Sequence, residues 1–141
     1  MLPMDGDKLG ADKTVDREKT CPLLLRVFLS NIRHHSPSDY ARGQVPANEL
    51  QVYTWLDATL RELTGLVKEV NREARRKGTV FDFAFVFPDR NGPMYRVREI
   101  GTTVSGQKGP DDFKTLRECR FTIGDYLDIA ITPPRGGNLR Y

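Results

Sequence analysis

The stretch Thr79-Val-Phe-Asp-Phe-Ala-Phe-Val-Phe87 decides the fold of this chain. Its aromatic residues recur at every second position, as Phe81, Phe83, Phe85 and Phe87. Alternate side chains of a β-strand point to the same face, so this spacing predicts a strand with all four rings on one side. Because aromatic rings bury much area per residue, they are expected to form the floor of the core.

A long amphipathic helix is predicted just before this strand, from about Asp57 to Lys77. Its apolar residues recur at spacings of three and four: Leu60, Leu63, Val67, Val70 and Ala74. This spacing places them on one stripe of an α-helix, and the stripe must be buried against another element. Asp57 suits the positive end of a helix, and Gly78 can take the left-handed conformation that often follows the last turn.

Four further segments have the apolar patterning of strands: Pro22–Leu29, Leu50–Trp55, Tyr95–Ile100 and Tyr126–Thr132. A single helix among several strands has to lie across one sheet, because each element has an apolar face to bury. The predicted fold class is therefore α+β, a β-grasp with one long helix packed across a mixed sheet of about five strands.

One domain is expected from a chain of 141 residues. Residues 1–19 are rich in Asp, Lys and Gly and are predicted to be a disordered tail. Residues 134–141 are predicted to be a flexible C-terminal tail, because Pro and Gly stop the last strand. The folded domain is then predicted at 20–133, with a long irregular loop at 101–118.

The chain is mildly basic, with a formal net charge of +3 and a pI of about 9.0. That is far from the concentrated charge of a dedicated nucleic-acid binder. No apolar run approaches the roughly 20 residues of a membrane span, and the polar N-terminus lacks the pattern of a secretory signal. Cys21 and Cys119 are then expected to be reduced thiols of a protein of the cytosol or nucleus.

Several short motifs give only weak support to chemistry. Phe83–Phe87 lacks the basic-Gly pair of an RNA-binding RRM signature, and Gly106–Gly109 does not join two helices as a KH loop does. His34-His35 is expected to be a solvated loop pair and Asp111-Asp112 an acidic turn, since neither has metal-ligand spacing. No catalytic, cofactor-binding or metal-binding residue is therefore predicted.

The sheet face opposite the four phenylalanines is predicted to be unusually apolar: Leu24, Phe28, Tyr53, Trp55, Ala84, Val86, Tyr126 and Ala130. One helix cannot cover both faces, and an exposed apolar patch usually marks a partner site. The predicted partner-binding residues are Leu24, Arg26, Phe28, Tyr53, Val86 and Tyr126. Arg26 and the basic helix end would steer acidic partners, while the others bury apolar side chains or lie beside an added strand.

Two other classes of function stay open from the sequence. The basic run from Arg72 to Lys77, together with the loop around Lys108, is the candidate for direct RNA binding. An enzyme would require the 101–118 loop to cover a hidden pocket. The sequence has no nucleophile elbow, phosphate-binding loop or dinucleotide fingerprint that asks for one.

Five stretches match a known family: Thr20–Phe28, Glu49–Trp55, Asp57–Leu63, Arg96–Gly101 and Ile123–Pro134. They closely resemble the eighteen-kilodalton Sin-associated polypeptide family, and the resemblance spans about residues 14–134. It implies a ubiquitin-like β-grasp. Gly136-Gly137 is followed by Asn138 to Tyr141, so conjugation through a processed Gly-Gly tail is not expected.

The same resemblance implies a nuclear adaptor, with some protein in the cytoplasm, that has no catalytic residues and no cofactor. One implied setting is the Sin–histone deacetylase corepressor, where the adaptor links to transcription factors. The other is the apoptosis- and splicing-associated complex on the exon junction complex, with Acinus or pinin and a serine-rich RNA-binding protein, acting in mRNA splicing. RNA would be contacted only indirectly, and no membrane is implied.

Overall fold

The computed structural model describes residues 15–134. Within them lie five strands: β1 (Leu23–Asn31), β2 (Glu49–Thr54), β3 (Val80–Pro88), β4 (Tyr95–Val104) and β5 (Tyr126–Thr132). An α-helix, α1 (Leu60–Val70), follows β2, and short 3-10 helices occupy Pro37–Gly43 and Arg72–Arg75. No helix in this range is long and apolar enough to cross a membrane. Most of the two predicted tails, residues 1–14 and 135–141, lies outside the described residues.

The strands form one sheet in the order β2-β1-β5-β3-β4. β1 and β5 run parallel at its centre, and every other neighbouring pair is antiparallel. An antiparallel pair, a crossing helix and a last strand returning to the centre are the arrangement of a ubiquitin-like β-grasp. The predicted α+β class with a mixed five-stranded sheet is confirmed.

The helix is much shorter than its sequence pattern predicts. α1 begins after Thr59, whose side-chain oxygen accepts a hydrogen bond from the Glu62 amide at 3.0 Å. It ends at Asn71, whose side chain accepts from the Ala74 amide and starts the second 3-10 helix. The single helix predicted from Asp57 to Lys77 is therefore wrong at both ends, because short polar side chains compete there for backbone donors.

The main core lies between α1 and the aromatic face of β3. Three of the four phenylalanines are fully buried in it and the fourth packs at its margin, which confirms their predicted orientation: Phe81, Phe83, Phe85 and Phe87. The helix covers them with Leu60, Leu63 and Val67. Val70, predicted to share this stripe, is 60% exposed at the last turn of the helix.

The observed strands are close to the predicted ones, except that β4 is longer. It continues through residues 101–104, where a loop was predicted, because these residues pair with the start of β3. The register shifts between Phe83 and Ala84, so β4 carries an extra residue at this point. The chain beyond β4 then folds back onto it, and Asp111 accepts a hydrogen bond from the Thr102 amide at 3.0 Å.

Residues 15–19, predicted to be part of a disordered tail, pack against the start of α1. The Arg17 guanidinium lies 2.7 Å from an Asp57 oxygen and 3.0 Å from a Glu62 oxygen. It also lies 4.9 Å from the centre of the Trp55 ring. These ionic and cation–π contacts order a segment whose polar composition alone suggests disorder. The folded part of the chain therefore begins before residue 20.

We expect Gly101→Ala to destabilise the protein by about 1–3 kcal/mol, because a methyl group there overpacks the junction between sheet and helix. A Cβ atom at Gly101 would lie 2.8 Å from Leu60 Cδ1 and 3.1 Å from an Asp111 oxygen. Urea denaturation measures the effect. The matched control is Gly65→Ala in α1, where a Cβ meets nothing within 4 Å; there alanine is expected to stabilise by about 0.5–1 kcal/mol. Equal stabilities of the two variants would contradict the packing argument.

Candidate partner-binding site

The structure brings all six predicted partner-binding residues onto the outer face of the sheet, away from α1. Leu24 on β1 lies opposite Tyr53 on β2, and Arg26 lies opposite Tyr126 on β5. Val86 on β3 is the next neighbour of Tyr126 along the same row, and Phe28 lies one row further along β1. The period-two reading of these strands therefore placed the side chains on the correct face.

The outer face is not uncovered, however. The connection between β1 and β2, residues 32–48, folds over its centre; we call it the cover segment. Its Tyr40 is buried with Phe28 and Val86 in a second apolar cluster, edged by Val45 and Val97. The expectation that Phe28 and Val86 face a partner directly is corrected here, because the chain's own loop occupies that surface.

An aromatic stack borders the covered region. The Tyr126 ring stacks on Tyr40 at 5.5 Å and on Tyr95 at 6.2 Å, and it stays partly accessible. The Arg26 guanidinium lies 5.3 Å from the centre of the Tyr126 ring and is hydrogen-bonded through two nitrogens to the Glu49 carboxylate. The bond from Arg26 holds the pKa of Glu49 below its usual range, against the opposing effect of burial. Since its charge is already paired, Arg26 is a support for Tyr126 more than a free steering cation.

A buried carboxylate anchors the cover segment to the sheet. Asp128 on β5 is fully buried, and each of its oxygens is bonded by the cover segment. His34 Nδ1 lies 2.8 Å from Oδ1, His35 Nδ1 lies 2.7 Å from Oδ2, and the Tyr40 hydroxyl donates to Oδ2. We call these four residues the Asp128 anchor. The prediction that His34-His35 is a solvated pair is wrong, because both rings are used to satisfy this charge.

The anchor perturbs the titration of its members in a consistent sense. Burial opposes ionisation of Asp128, but the hydrogen bonds from His34, Tyr40 and His35 outweigh it and lower the pKa of the carboxyl. Burial likewise disfavours the His34 cation, yet the hydrogen bond to Asp128 and the nearby charges of Asp128, Glu99 and Asp82 raise the pKa of that imidazole. Burial and the bond to Asp128 raise the pKa of the Tyr40 hydroxyl. The carboxylate is thus held charged, with donors facing it.

What stays accessible on the outer face is an apolar groove beside the cover segment. Its walls come from residues 21–24 and 123–126 together with Arg26, and it encloses about 480 Å³; we call it the Leu24 groove. Leu24 is 39% exposed, and Ile123 and the neighbouring Tyr53 are each 69% exposed. Large apolar side chains grouped in this way are typical of surfaces that bind another protein.

The remaining candidates have structural roles. Trp55, predicted on the outer face, donates its indole N–H to the Thr20 carbonyl at 2.8 Å. In the basic run at the helix end, Arg75 donates to the carbonyls of Lys68 and Glu69, which are C-terminal carbonyls of α1. Asp112 is buried and accepts from the Gly109 amide.

No group of His, Cys, Asp and Glu within residues 15–134 is arranged to hold a metal ion. Both cysteines are free, and burial raises the pKa of the Cys119 thiol, which opposes thiolate formation.

Two features of the site escaped the sequence reading. Ile123 sits in a turn next to Gly124, and a lone large apolar residue in an otherwise polar turn was the available signal. The sequence also contained a signal for the Asp128 anchor. Asp128 is the one charged residue in the apolar strand β5, and a buried acid needs hydrogen-bond partners. Nothing local in the sequence connects it to two histidines more than 90 residues earlier.

The described part of the chain is thus a ubiquitin-like β-grasp domain with an anchored cover segment and an open apolar groove. A comparison with protein families identifies it further. The model of the family described as Sin3 associated polypeptide p18 (SAP18) matches residues 14–131, so this chain belongs to the SAP18 family.

Curated relatives agree with this assignment. The chain is 65% identical over 128 residues to the histone deacetylase complex subunit SAP18 of Homo sapiens, covering 90% of this chain and 84% of that protein. It is 62% identical over 122 residues to the protein of the same name from Drosophila melanogaster, covering 86% and 81%. The protein of that name from Arabidopsis thaliana is 59% identical over 120 residues, covering 83% and 78%.

We expect Asp128→Asn to destabilise the protein by about 2 kcal/mol, because three donors would face a neutral amide and its N–H₂ would meet one of them. Urea denaturation measures the loss, and amide exchange should rise first in residues 32–48. The matched control is Glu99→Gln, which removes an exposed acid near the same cluster and should change stability by less than about 0.5 kcal/mol. Wild-type stability and exchange in Asp128→Asn would contradict the anchor.

The stability of the wild-type protein should also depend on pH through His34. A group whose pKa is raised by folding stabilises the fold while protonated, so this contribution is complete below the unfolded value of about 6.5. It is lost as the pH rises through the higher folded pKa. Asp128, with its lowered pKa, contributes above about 3.9 and loses its effect as the pH falls through its folded pKa.

Unfolding free energies at pH 5.5, 7 and 8.5 test this dependence. The wild type should lose about 1 kcal/mol or more across the series, the worth of one charge-assisted hydrogen bond. His34→Gln, which cannot titrate there, should show a shallower decline. Parallel curves for the two proteins would exclude His34 as the source.

Proposed function

We propose that this chain is a non-enzymatic nuclear adaptor that captures an extended segment of a larger protein on the Leu24 groove. The observation that carries the proposal is the groove itself, because it brings the exposed side chains of Leu24 and Ile123 together beside Tyr53. The other large apolar side chains that are exposed within residues 15–134 do not line it: Ile32, Val70, Met94 and Phe113. Apolar side chains of a partner would displace water from this surface, which is the main driving force of protein association.

The setting of the adaptor is supported by its relatives. Proteins of the SAP18 family that cover most of this chain are named as histone deacetylase complex subunits. On this basis the partners are the Sin corepressor and histone deacetylase, with transcription factors as the proteins that the adaptor links to them.

A second setting follows from the sequence resemblance described above. In it the chain joins Acinus or pinin and a serine-rich RNA-binding protein in the apoptosis- and splicing-associated complex, acting in mRNA splicing on the exon junction complex. The protein would then be mainly nuclear with some in the cytoplasm, and RNA would be reached through its partners. One groove that takes an extended apolar segment suits both settings, because it asks for a sequence pattern in the partner and not for a whole fold.

The edges of the sheet restrict how a partner segment can bind. The outer edge of β4 is partly capped, because Asp111 accepts from the Thr102 amide and Lys114 donates to the Ile100 carbonyl. The opposite edge strand is β2, and it carries Tyr53 at its exposed end. A partner strand added at β2 would therefore place its side chains next to Tyr53 and lead them towards Leu24.

The proposal that the protein is not an enzyme is supported by the contacts of the side chains that most often take part in catalysis. His34, His35 and Asp128 are engaged with one another in the anchor. The Cys119 thiol has a raised pKa and is half-buried. The two histidines, Asp128 and Cys119 are therefore in environments that serve the structure and do not favour catalysis.

Direct RNA binding is the rival function, favoured by the exposed basic residues near the end of α1. Arg72, Arg76 and Lys77 are exposed there, whereas Arg75 is engaged with helix carbonyls. No exposed aromatic ring accompanies them in the described sequence from Arg72 to Lys77, and stacking on such rings supplies much of the affinity for single strands.

We expect Leu24→Ser/Tyr53→Ser to lower capture of the histone deacetylase complex by tenfold or more. Each buried apolar side chain contributes about 1.5–3 kcal/mol, and about 1.4 kcal/mol is tenfold in affinity. The measurement is co-purification of Sin and histone deacetylase with tagged full-length protein from nuclear extract. Recovery equal to wild type from a variant shown to be folded would reject the groove.

The control variant is Val70→Ser/Met94→Ser. It removes two apolar side chains that are 60% and 50% exposed and do not line the groove, and it should leave capture unchanged. The same extract treated with ribonuclease separates the rival, because capture through RNA would then be lost in the wild type as well.

A further inference from the structure

Four arginines line one depression at the turn between β3 and β4: Arg90, Arg96, Arg98 and Arg120. We call it the arginine pocket; its volume is about 550 Å³, and Phe87–Asp89, Asn91, Thr122 and Asp125 complete its lining. In the register of the sheet, Arg96 and Arg98 stand opposite Phe87 and Phe85. The pocket therefore lies on the helix side of the sheet, and Asp125 is the one lining residue that it shares with the Leu24 groove.

Within residues 15–134 the positive charge of the pocket is only partly offset by acidic side chains. None of the four guanidinium groups makes an ion pair with a carboxylate of residues 15–134. Asp89 and Asp125 are the acids in the lining, and they accept hydrogen bonds from the backbone amides of Asn91 and Thr122. Four positive and two negative groups leave a net charge of +2 at the pocket.

All four arginines are exposed, but one of them makes contacts that orient its side chain. Arg98 donates to the Cys119 carbonyl at 2.9 Å, and its guanidinium lies 5.3 Å from the centre of the Phe85 ring. Arg96 and Arg90 are exposed beside it. A guanidinium that is already oriented by the chain provides a preorganised first contact for an anion, so less conformational freedom is lost on binding.

The backbone of Arg120 gives an independent sign that its side chain is needed. Its φ of 65° lies in the left-handed region. The preceding turn ends with bonds from the Phe121 amide to the Leu116 carbonyl and from the Arg120 amide to the Arg117 carbonyl. In this C-terminal motif the position of Arg120 is usually glycine, because other residues are strained there. A strained arginine at the rim of a pocket points to a functional reason for its side chain.

We infer that the arginine pocket binds a phosphorylated serine or threonine side chain of a partner protein. A phosphoryl group carries about −1.5 to −2 charges at pH 7, which matches the net charge of the pocket better than a carboxylate does. Guanidinium groups bind such oxyanions through paired N–H donors. This surface goes beyond the proposed function, because its chemistry is opposite to that of the Leu24 groove and it does not depend on that groove.

A nucleic-acid phosphate offers similar chemistry, but the pocket lacks the second element of such sites. Single-stranded nucleic acids are held by aromatic rings as well as by positive charge. Phe87 is the aromatic residue in the lining, and it packs against the main core. A phosphorylated protein segment, which needs the charge alone, is therefore the better match.

The test uses the full chain and four probes at constant ionic strength. The first probe is a pentapeptide with a central phosphoserine and glycine at the other four positions. The second and third are the same peptide with serine and with glutamate at the centre, and the fourth is hexauridylate RNA. Amide chemical shifts of residues 89–98 and 120–125 report binding. We expect saturable shifts confined to these residues, with the phosphopeptide bound at least tenfold more tightly than the other probes.

Two variants separate the pocket from general charge attraction. Arg120→Gly relieves the backbone strain, so it should raise the unfolding temperature or leave it unchanged while weakening phosphopeptide binding about tenfold. Arg117→Ala is the control for charge: Arg117 lies three residues before Arg120, is exposed and does not line the pocket. This variant removes the same charge and should keep the affinity for the phosphopeptide within about twofold of wild type.

The inference is overturned if the glutamate peptide binds as well as the phosphopeptide, if Arg117→Ala loses as much affinity as Arg120→Gly, or if the RNA binds most tightly. Arg120→Gly should retain capture of the histone deacetylase complex from phosphatase-treated nuclear extract, because that capture uses the Leu24 groove and not the arginine pocket. Failure of the pocket and failure of the groove are therefore read in separate experiments.

Discussion

The buried charge of Asp128 is the constraint on which the outer side of this domain depends. A carboxylate in the middle of a sheet is strongly unfavourable unless donors satisfy it. Here the donors come from one connection, through His34, His35 and Tyr40. The position of the cover segment is thus dictated by a charge that must be satisfied, and apolar packing of Tyr40 on Phe28 and Val86 follows from that placement.

This arrangement has a structural consequence for specificity. An apolar core residue at position 128 would also allow the cover segment to pack, but it would accept many positions of that segment. Directed hydrogen bonds to two carboxylate oxygens define one position, which is the best-supported use of buried polar groups. The edge of the cover segment then fixes where the Leu24 groove begins, since Tyr126 packs there against both Tyr40 and Tyr95, which also contact each other.

The features of the fold that depend on local periodicity, such as which face of a strand a side chain occupies, are predicted correctly from the sequence. The alternation in β1, β3 and β5 predicted both faces of the sheet, and the four phenylalanines were placed correctly against the helix. The helix ends were missed because Thr59 and Asn71 decide them through single hydrogen bonds, which a 3.6-residue period does not report. The sequence around Arg17 predicts a tail because the partners of Arg17, Asp57 and Glu62, lie 40 and 45 residues away.

The sequence predicts which face of the sheet carries the candidate site, but it does not predict which residues of that face are exposed. The alternation of β1 and β2 predicts that Leu24 and Tyr53 point outward, and both are exposed as expected. The same alternation predicts that Phe28 and Val86 point outward, yet their burial depends on where residues 32–48 fold. That placement rests on contacts between residues more than 90 positions apart, which periodicity alone cannot supply.

The cover segment hides only part of the outer face, which explains how one small sheet can be stable and still have an apolar surface for a partner. A fully bare outer face would expose Phe28, Val86, Ala84 and Ala130 together, and broad apolar patches of that kind promote aggregation. A complete cover would leave no groove. The anchor places the cover segment over the central rows, while the row of Tyr53 and Leu24 stays beyond its reach. A narrow apolar groove bounded by an ordered loop discriminates among partners by shape, whereas an open face would discriminate by hydrophobicity alone.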